Sequence, residues 1–152
     1  MNLIIKRRWQ YNWMDDLVRP PLDFIVARED WCRYDLLDNA ILKVKVVLTR
    51  VYKQQGQLYS DFQPIYAVLT TESGTPDSNM WSLQELQSSI VKEVSFITIT
   101  QDWNEYVVDD GTTIRIQPIV TKVAKTSKFD SKGFPIYLCD IKGNMDTEPP
   151  IS

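Results

Sequence analysis

FIVAREDWCRYDLLDNAILKVKVVLTRVYK, residues 24–53, and FITITQDWNEYVVDDGTTIRIQPIVTKVAK, residues 96–125, are two versions of one text. Slid by 72 positions, Phe24, Ile25, Asp30, Trp31, Tyr34, Asp38, Thr49, Val51 and Lys53 fall on Phe96, Ile97, Asp102, Trp103, Tyr106, Asp110, Thr121, Val123 and Lys125. Removing one loop residue adds Pro64, Ile65 and Tyr66 on Pro135, Ile136 and Tyr137. Other pairs are conservative, such as Leu42/Ile114, Lys43/Arg115, Val44/Ile116 and Arg50/Lys122. The pattern predicts a tandem duplication whose halves are related by an approximate two-fold axis.

Each half reads as β-structure. Short β-branched runs at 24–27 and 96–100 lead into aromatic-bearing runs at 31–36 and 103–108. Asp38-Asn39 and Asp110-Gly111 are hairpin signals, because Asn and Gly tolerate positive φ. Long strands follow at 41–52 and 112–125. The apolar phase changes along them, and Pro118 marks the expected bend, since proline interrupts a ladder. Val46-Val47 is its expected equivalent. Polar loops then lead to final strands that begin at Pro64 and Pro135.

Trp31, Trp103, Val44, Ile116, Val51 and Val123 are the expected core. Between the halves, Leu83, Leu86 and Ile90 have helical spacing, with Asp77 or Ser78 as N-cap. Upstream, Trp9, Trp13 and Leu17 recur at one-turn intervals until Pro20-Pro21. The expected fold is mainly β, a tandem duplication of a small β-barrel or sandwich-like unit, with a short connecting helix and an N-terminal arm. The boundaries are an arm at 1–23, a β-unit at 24–70, a connector at 71–95, a second β-unit at 96–141 and an irregular tail at 142–152.

Chemistry narrows the function. The 152 residues are 43% hydrophobic and 24% charged, with 17 basic and 20 acidic side chains and no histidine. Lack of histidine removes the commonest general base and metal ligand. Five glycines supply no phosphate-binding loop, and two cysteines alone cannot hold a tetrahedral zinc. Asp109-Asp110 reads as a turn, and Asp130 lacks the spacing of a calcium loop. No catalytic, cofactor or metal residue is assigned. Cys32 and Cys139 are not equivalent in the two halves; they read as separate thiols, with a disulfide left open.

Binding is the expected role. Lys6, Arg7, Arg8, Trp9 and Trp13 form the densest basic-aromatic cluster, an arm of the kind that reaches a neighbouring subunit, a membrane surface or nucleic acid, with other protein subunits as the expected partner. The expected function is a non-enzymatic structural or binding subunit of a larger assembly, such as a virus particle or multisubunit complex. The alternative is a single-stranded nucleic-acid-binding module, with Lys43, Lys45, Arg50, Arg115 and Lys122 as a basic stripe beside the repeated aromatics. A third reading is a carboxylate-based hydrolase or lyase. No apolar run is long enough to span a membrane, and the start MNLIIKRRWQ lacks the order of a secretion signal. The expected location is the cytoplasm or a virus particle.

Overall fold

The computed structural model of the chain describes residues 20–151. Strands β1 (Pro21–Leu22), β2 (Phe24–Arg28), β3 (Cys32–Leu36), β4 (Ile41–Gln54) and β5 (Gln57–Leu69) come first. Helix α1 (Leu83–Ser88) follows. Strands β6 (Ile90–Glu93), β7 (Phe96–Thr100), β8 (Asn104–Val108), β9 (Thr113–Phe129) and β10 (Pro135–Glu148) complete the order. They form two antiparallel five-stranded sheets, and neither closes on itself. The barrel form of the sequence expectation is therefore not what these strands build.

The first sheet centres on β4. On one side β5 runs along its full length; on the other, β3 covers its first part and β1 its end. The second sheet centres on β9, with β10 on one side and β8 and β6 on the other. The outermost strands are exchanged. β2 pairs with β8 in the second sheet, and β7 pairs with β3 in the first. Registers agree position for position at the offset of 72: Phe24↔Val108 answers Phe96↔Leu36, Cys32↔Val44 answers Asn104↔Ile116, and Pro21↔Tyr52 answers Glu93↔Ala124.

The hairpin turns follow from their residues. Asn39 and Gly111 have φ of 73° and 91°, a region where a Cβ is costly except for Asn and Asp. Asp38 Oδ1 accepts from Ala40 N at 3.1 Å, and Asp110 Oδ1 from Thr112 N at 2.9 Å. That bond, with the Thr112 hydroxyl and Lys53 Nζ at 3.0 Å, holds the Asp110 carboxyl below its ordinary range.

Two cores result, each shared between the halves. One joins Cys32, Tyr34, Leu36, Leu42 and Val44 to Val94, Val120, Val123 and Tyr137. The other joins Tyr106, Val108, Ile114 and Ile116 to Val46, Leu48 and Val51. Each takes the front of one half and the back of the other, so neither half buries its apolar face alone.

Several sequence expectations are corrected. Val44, Ile116, Val51 and Val123 are fully buried, but Trp31 and Trp103 are 43% and 36% exposed. Both tryptophans lie in the crossing segments just ahead of β3 and β8, not on the inward face of a strand. Pro118 does not interrupt its ladder. It pairs in register with Gly143, as Val46 does with Pro64. It lies past the last β8 pair, Asn104↔Ile116, where β9 has a neighbour on one side only and proline is tolerated.

The phase changes three residues later. Thr49 and Thr121 are each skipped by the ladder. The extra residue moves the inward face from Leu48 to Val51 and from Val120 to Val123. Each bulged threonine donates its hydroxyl to the facing strand, to Asp61 O at 3.1 Å and to Asp140 O at 3.3 Å.

The segment after Lys53, read as a loop, turns tightly at Gln55-Gly56 and then enters β5. Pro64 is mid-strand on an edge instead of starting one. The tail, expected to be irregular, is strand as far as Glu148. The connecting helix exists, but Ser82 caps it, not Asp77 or Ser78. Ser82 Oγ accepts from Glu85 N at 3.1 Å and Glu85 Oε1 accepts from Ser82 N at 3.0 Å, a reciprocal capping box. Ile90, grouped with that helix by spacing, belongs to β6.

Candidate interaction surfaces

The segments that cross between the sheets meet in reciprocal contacts. Tyr34 Oη donates to Gln101 Oε1 at 2.8 Å, and Tyr106 Oη to Glu29 Oε2 at 2.7 Å. Cys32 Sγ donates to Asp102 O at 3.7 Å; its counterpart Asn104 accepts from Asp30 N at 2.9 Å. Phe24 meets Tyr106 edge-on with ring centroids 5.9 Å apart, and Phe96 meets Tyr34 at 5.8 Å. The equivalent carboxylates Asp30 and Asp102 both bind Arg28, at 2.8 and 3.2 Å.

The two ends of this seam differ in polarity. Asn104 also donates to Val46 O at 3.1 Å, and Leu48 N points to Tyr106 Oη at 3.4 Å. The corresponding network around Tyr34 has a thiol, Cys32, where Asn104 stands. Burial pushes both phenols up, and the Glu29 carboxylate raises Tyr106 further. Both stay protonated near neutral pH and act as donors, not bases. Burial also pushes up the Cys32 thiol, and the Cys139 thiol to about 12. The two are unpaired thiols, and because both are shifted upward neither is a ready nucleophile.

The residues singled out from sequence separate. Lys6, Arg7, Arg8, Trp9 and Trp13 lie outside the described residues. The five strand cations are split between sheets, Lys43, Lys45 and Arg50 on β4 and Arg115 and Lys122 on β9. Lys45 sits 3.5 Å from Glu29 and over the Trp31 ring at 4.9 Å. Arg50 binds Asp61 at 2.6 Å, and Arg115 binds Glu105, Glu148 and Asp146 at 3.1, 3.1 and 3.7 Å. Lys43 and Lys122 have no ion pair among the described residues; Lys43 faces Arg33, and Lys122 faces Asp140 in the ladder. Asp130 Oδ1 is occupied by Lys132 N and Phe134 N at 2.8 and 3.0 Å, which closes the turn into β10. Among the described residues, no three His, Cys, Asp or Glu side chains gather as a metal site, and no helix is long and apolar enough to cross a membrane.

The surfaces that distinguish the halves were missed in the sequence. Paired residues in a ladder point to one side, so the outward rows can be read from the register. On the first sheet they are Leu69–Ile41–Asp35–Ile97, then Ala67–Lys43–Arg33–Thr100, then Ile65–Lys45. On the second sheet they are Glu148–Thr113–Val107–Ile25, then Asp146–Arg115–Glu105–Arg28, then Asn144–Gln117. Ile65, Ala67 and Leu69 thus stand where Asn144, Asp146 and Glu148 stand. The first outer face is apolar at its margin. The second holds a cleft of about 400 Å³ lined by Arg28, Trp103, Glu105, Arg115 and Asp146.

One signal could have revealed this. β5 and β10 correspond at an offset of 79, with Asp61 opposite Arg50 and Asp140 opposite Lys122. The Pro-Ile-Tyr match at an offset of 71 pairs positions that are not equivalent: Tyr66 lies opposite Val44, but Tyr137 opposite Lys125. No family model, no curated protein and no solved structure matches the chain.

Proposed function

We propose that this chain is a non-enzymatic structural and binding subunit of a larger protein assembly, such as a virus particle or a multisubunit complex, in the cytoplasm or within the particle. The observation that carries this reading is the apolar surface left on open sheets. Ile65 and Leu69 on β5 are 43% and 51% exposed, Ile97 on β7 is 56% and Ile25 on β2 is 66%. Open edges bearing such side chains are templates for association, and proteins that stay single usually blunt them with charge.

The reciprocal seam supports an origin for this arrangement. Equivalent residues contact one another across it as in a two-fold dimer, where residue i meets j and j meets i. A tandem duplication that fused such a dimer into one chain accounts for both the offset of 72 and the exchanged strands. In this reading the N-terminal arm, with Lys6, Arg7, Arg8, Trp9 and Trp13, anchors a neighbouring subunit.

Light scattering on the purified chain tests the reading, with a variant lacking residues 2–19 beside it. The expected result is a mass above one chain that grows with concentration, reduced in the truncated protein while its fold persists. A chain that stays single and instead shifts, in a salt-dependent way, with single-stranded oligonucleotides would replace this reading with nucleic-acid binding.

A further inference from the structure

The two outer faces are built on one lattice of positions and carry opposite chemistry. On the first sheet, Arg33 is tied to Asp35 at 2.9 Å and Lys45 to Glu29 at 3.5 Å, which leaves Lys43, beside Ile65 and Leu69, as a cation with no ion pair among the described residues. On the second sheet, the Arg115 guanidinium is shared by Glu105, Asp146 and Glu148, so negative charge is in excess. Arg28 there is likewise shared by Asp30 and Asp102. The second face also offers apolar Ile25 at its far edge.

We propose that the outer face of the first sheet in one copy docks on the outer face of the second sheet in the next copy, head to tail. The occupant is a second copy of this chain because the complementary charge and the apolar margin are both supplied by the chain itself. Lys43 would meet the Asp146–Glu148 edge, and the apolar margin would be covered in the same step. Like faces brought together would set Lys43 against Lys43, or Asp146 and Glu148 against themselves, which disfavours a symmetric contact. A contact between unlike faces leaves one free face at each end, so it grows into a ring or a filament. The inference rests on the assembly reading above and adds which surfaces meet.

Mixing tests it. Leu69→Glu alters the first face, and Asp146→Lys with Glu148→Lys alters the second. All three positions point outward, and circular dichroism and melting confirm that each variant folds; Lys43→Glu replaces Leu69→Glu if that one does not. Light scattering on full-length protein should show assembly of the native chain and a fall to the mass of one chain for each variant alone. An equimolar mixture should give twice that mass and no more, because each variant keeps one intact face. If the second-face variant assembles like the native chain, or the mixture stays single, the head-to-tail contact is wrong. Assembly untouched by either variant also overturns the contact and leaves the assembly reading standing. A native chain that is single at every concentration overturns that reading itself.

Discussion

On the inner side, Leu42, Val44 and Tyr34 occupy the same ladder positions as Ile114, Ile116 and Tyr106, and both sets are fully buried. On the outer side, Ile65, Ala67 and Leu69 stand where Asn144, Asp146 and Glu148 stand. At these inner positions the halves differ by a methylene or a branch point at most; the buried pair Cys32 and Asn104 is the polar exception. Outside, they differ in charge and polarity. Close packing accounts for the first: a change of one methylene is felt in a filled core, and each core here needs both halves. The outer positions carry no such packing constraint.

The largest effect should come from breaking a core. Ile116→Ala should cost about 2–5 kcal/mol, and Val44→Ala at the equivalent place a comparable amount. Because both cores draw on both halves, either change should lower the melting of the whole chain in one transition. Calorimetry showing one half melting while the other holds would contradict the exchanged-strand account.

A smaller effect sharpens the contrast along the seam. Tyr106→Phe removes a hydroxyl that binds Glu29 and receives Leu48 N, so it should cost about 1–3 kcal/mol. Tyr34→Phe removes, among the described residues, the one bond to Gln101, and should cost about 1 kcal/mol. Equal losses in urea titrations would show that the polar end of the seam is no more demanding than the thiol end.

Trp31→Ala and Trp103→Ala test the exposed aromatics. A fully buried tryptophan costs roughly 3–5 kcal/mol to truncate; these are partly exposed and should cost about 1–2 kcal/mol. Trp103 lines the cleft of the second face, so its loss should also weaken assembly, read as reduced mass at fixed concentration.

The smallest effect is a pH dependence. Asp110 is held ionised by Thr112 and Lys53, so its folded pKa lies below the unfolded value of about 3.9. Its contribution is complete above that value and is lost as pH falls through the folded pKa. Asp110→Asn keeps an acceptor for the turn and should flatten the acid limb of the melting curve below about pH 4. An unchanged acid limb would remove Asp110 from the account.

What was legible in sequence follows from the same contrast. Asp38-Asn39 and Asp110-Gly111 announced their turns because few residues accept positive φ. The alternation of Leu42, Val44 and Ile114, Ile116 announced a buried face, because side-chain direction in a strand has a period of two. Strand exchange was not legible. Phe24 and Ile25 present the same alternating pattern whichever half they join. Trp31 and Trp103 looked like core because aromatic residues usually are, but they sit in the crossings ahead of the strands. The bulges at Thr49 and Thr121 were hidden because a single extra residue shifts the phase without a residue type of its own, and Pro118 nearby drew the assignment. The outer faces were lost to the Pro-Ile-Tyr match, which set β5 and β10 in a false correspondence.

If the unlike outer faces are covered together in an assembly, both of their margins are shielded at once. Amide hydrogen exchange on the native chain at low and high concentration tests it most directly. The account predicts that peptides spanning 65–69 and 144–148 gain protection in parallel as concentration rises, while the buried stretch 114–116 stays equally slow throughout. No gain at either segment, or a gain at one without the other, would contradict it.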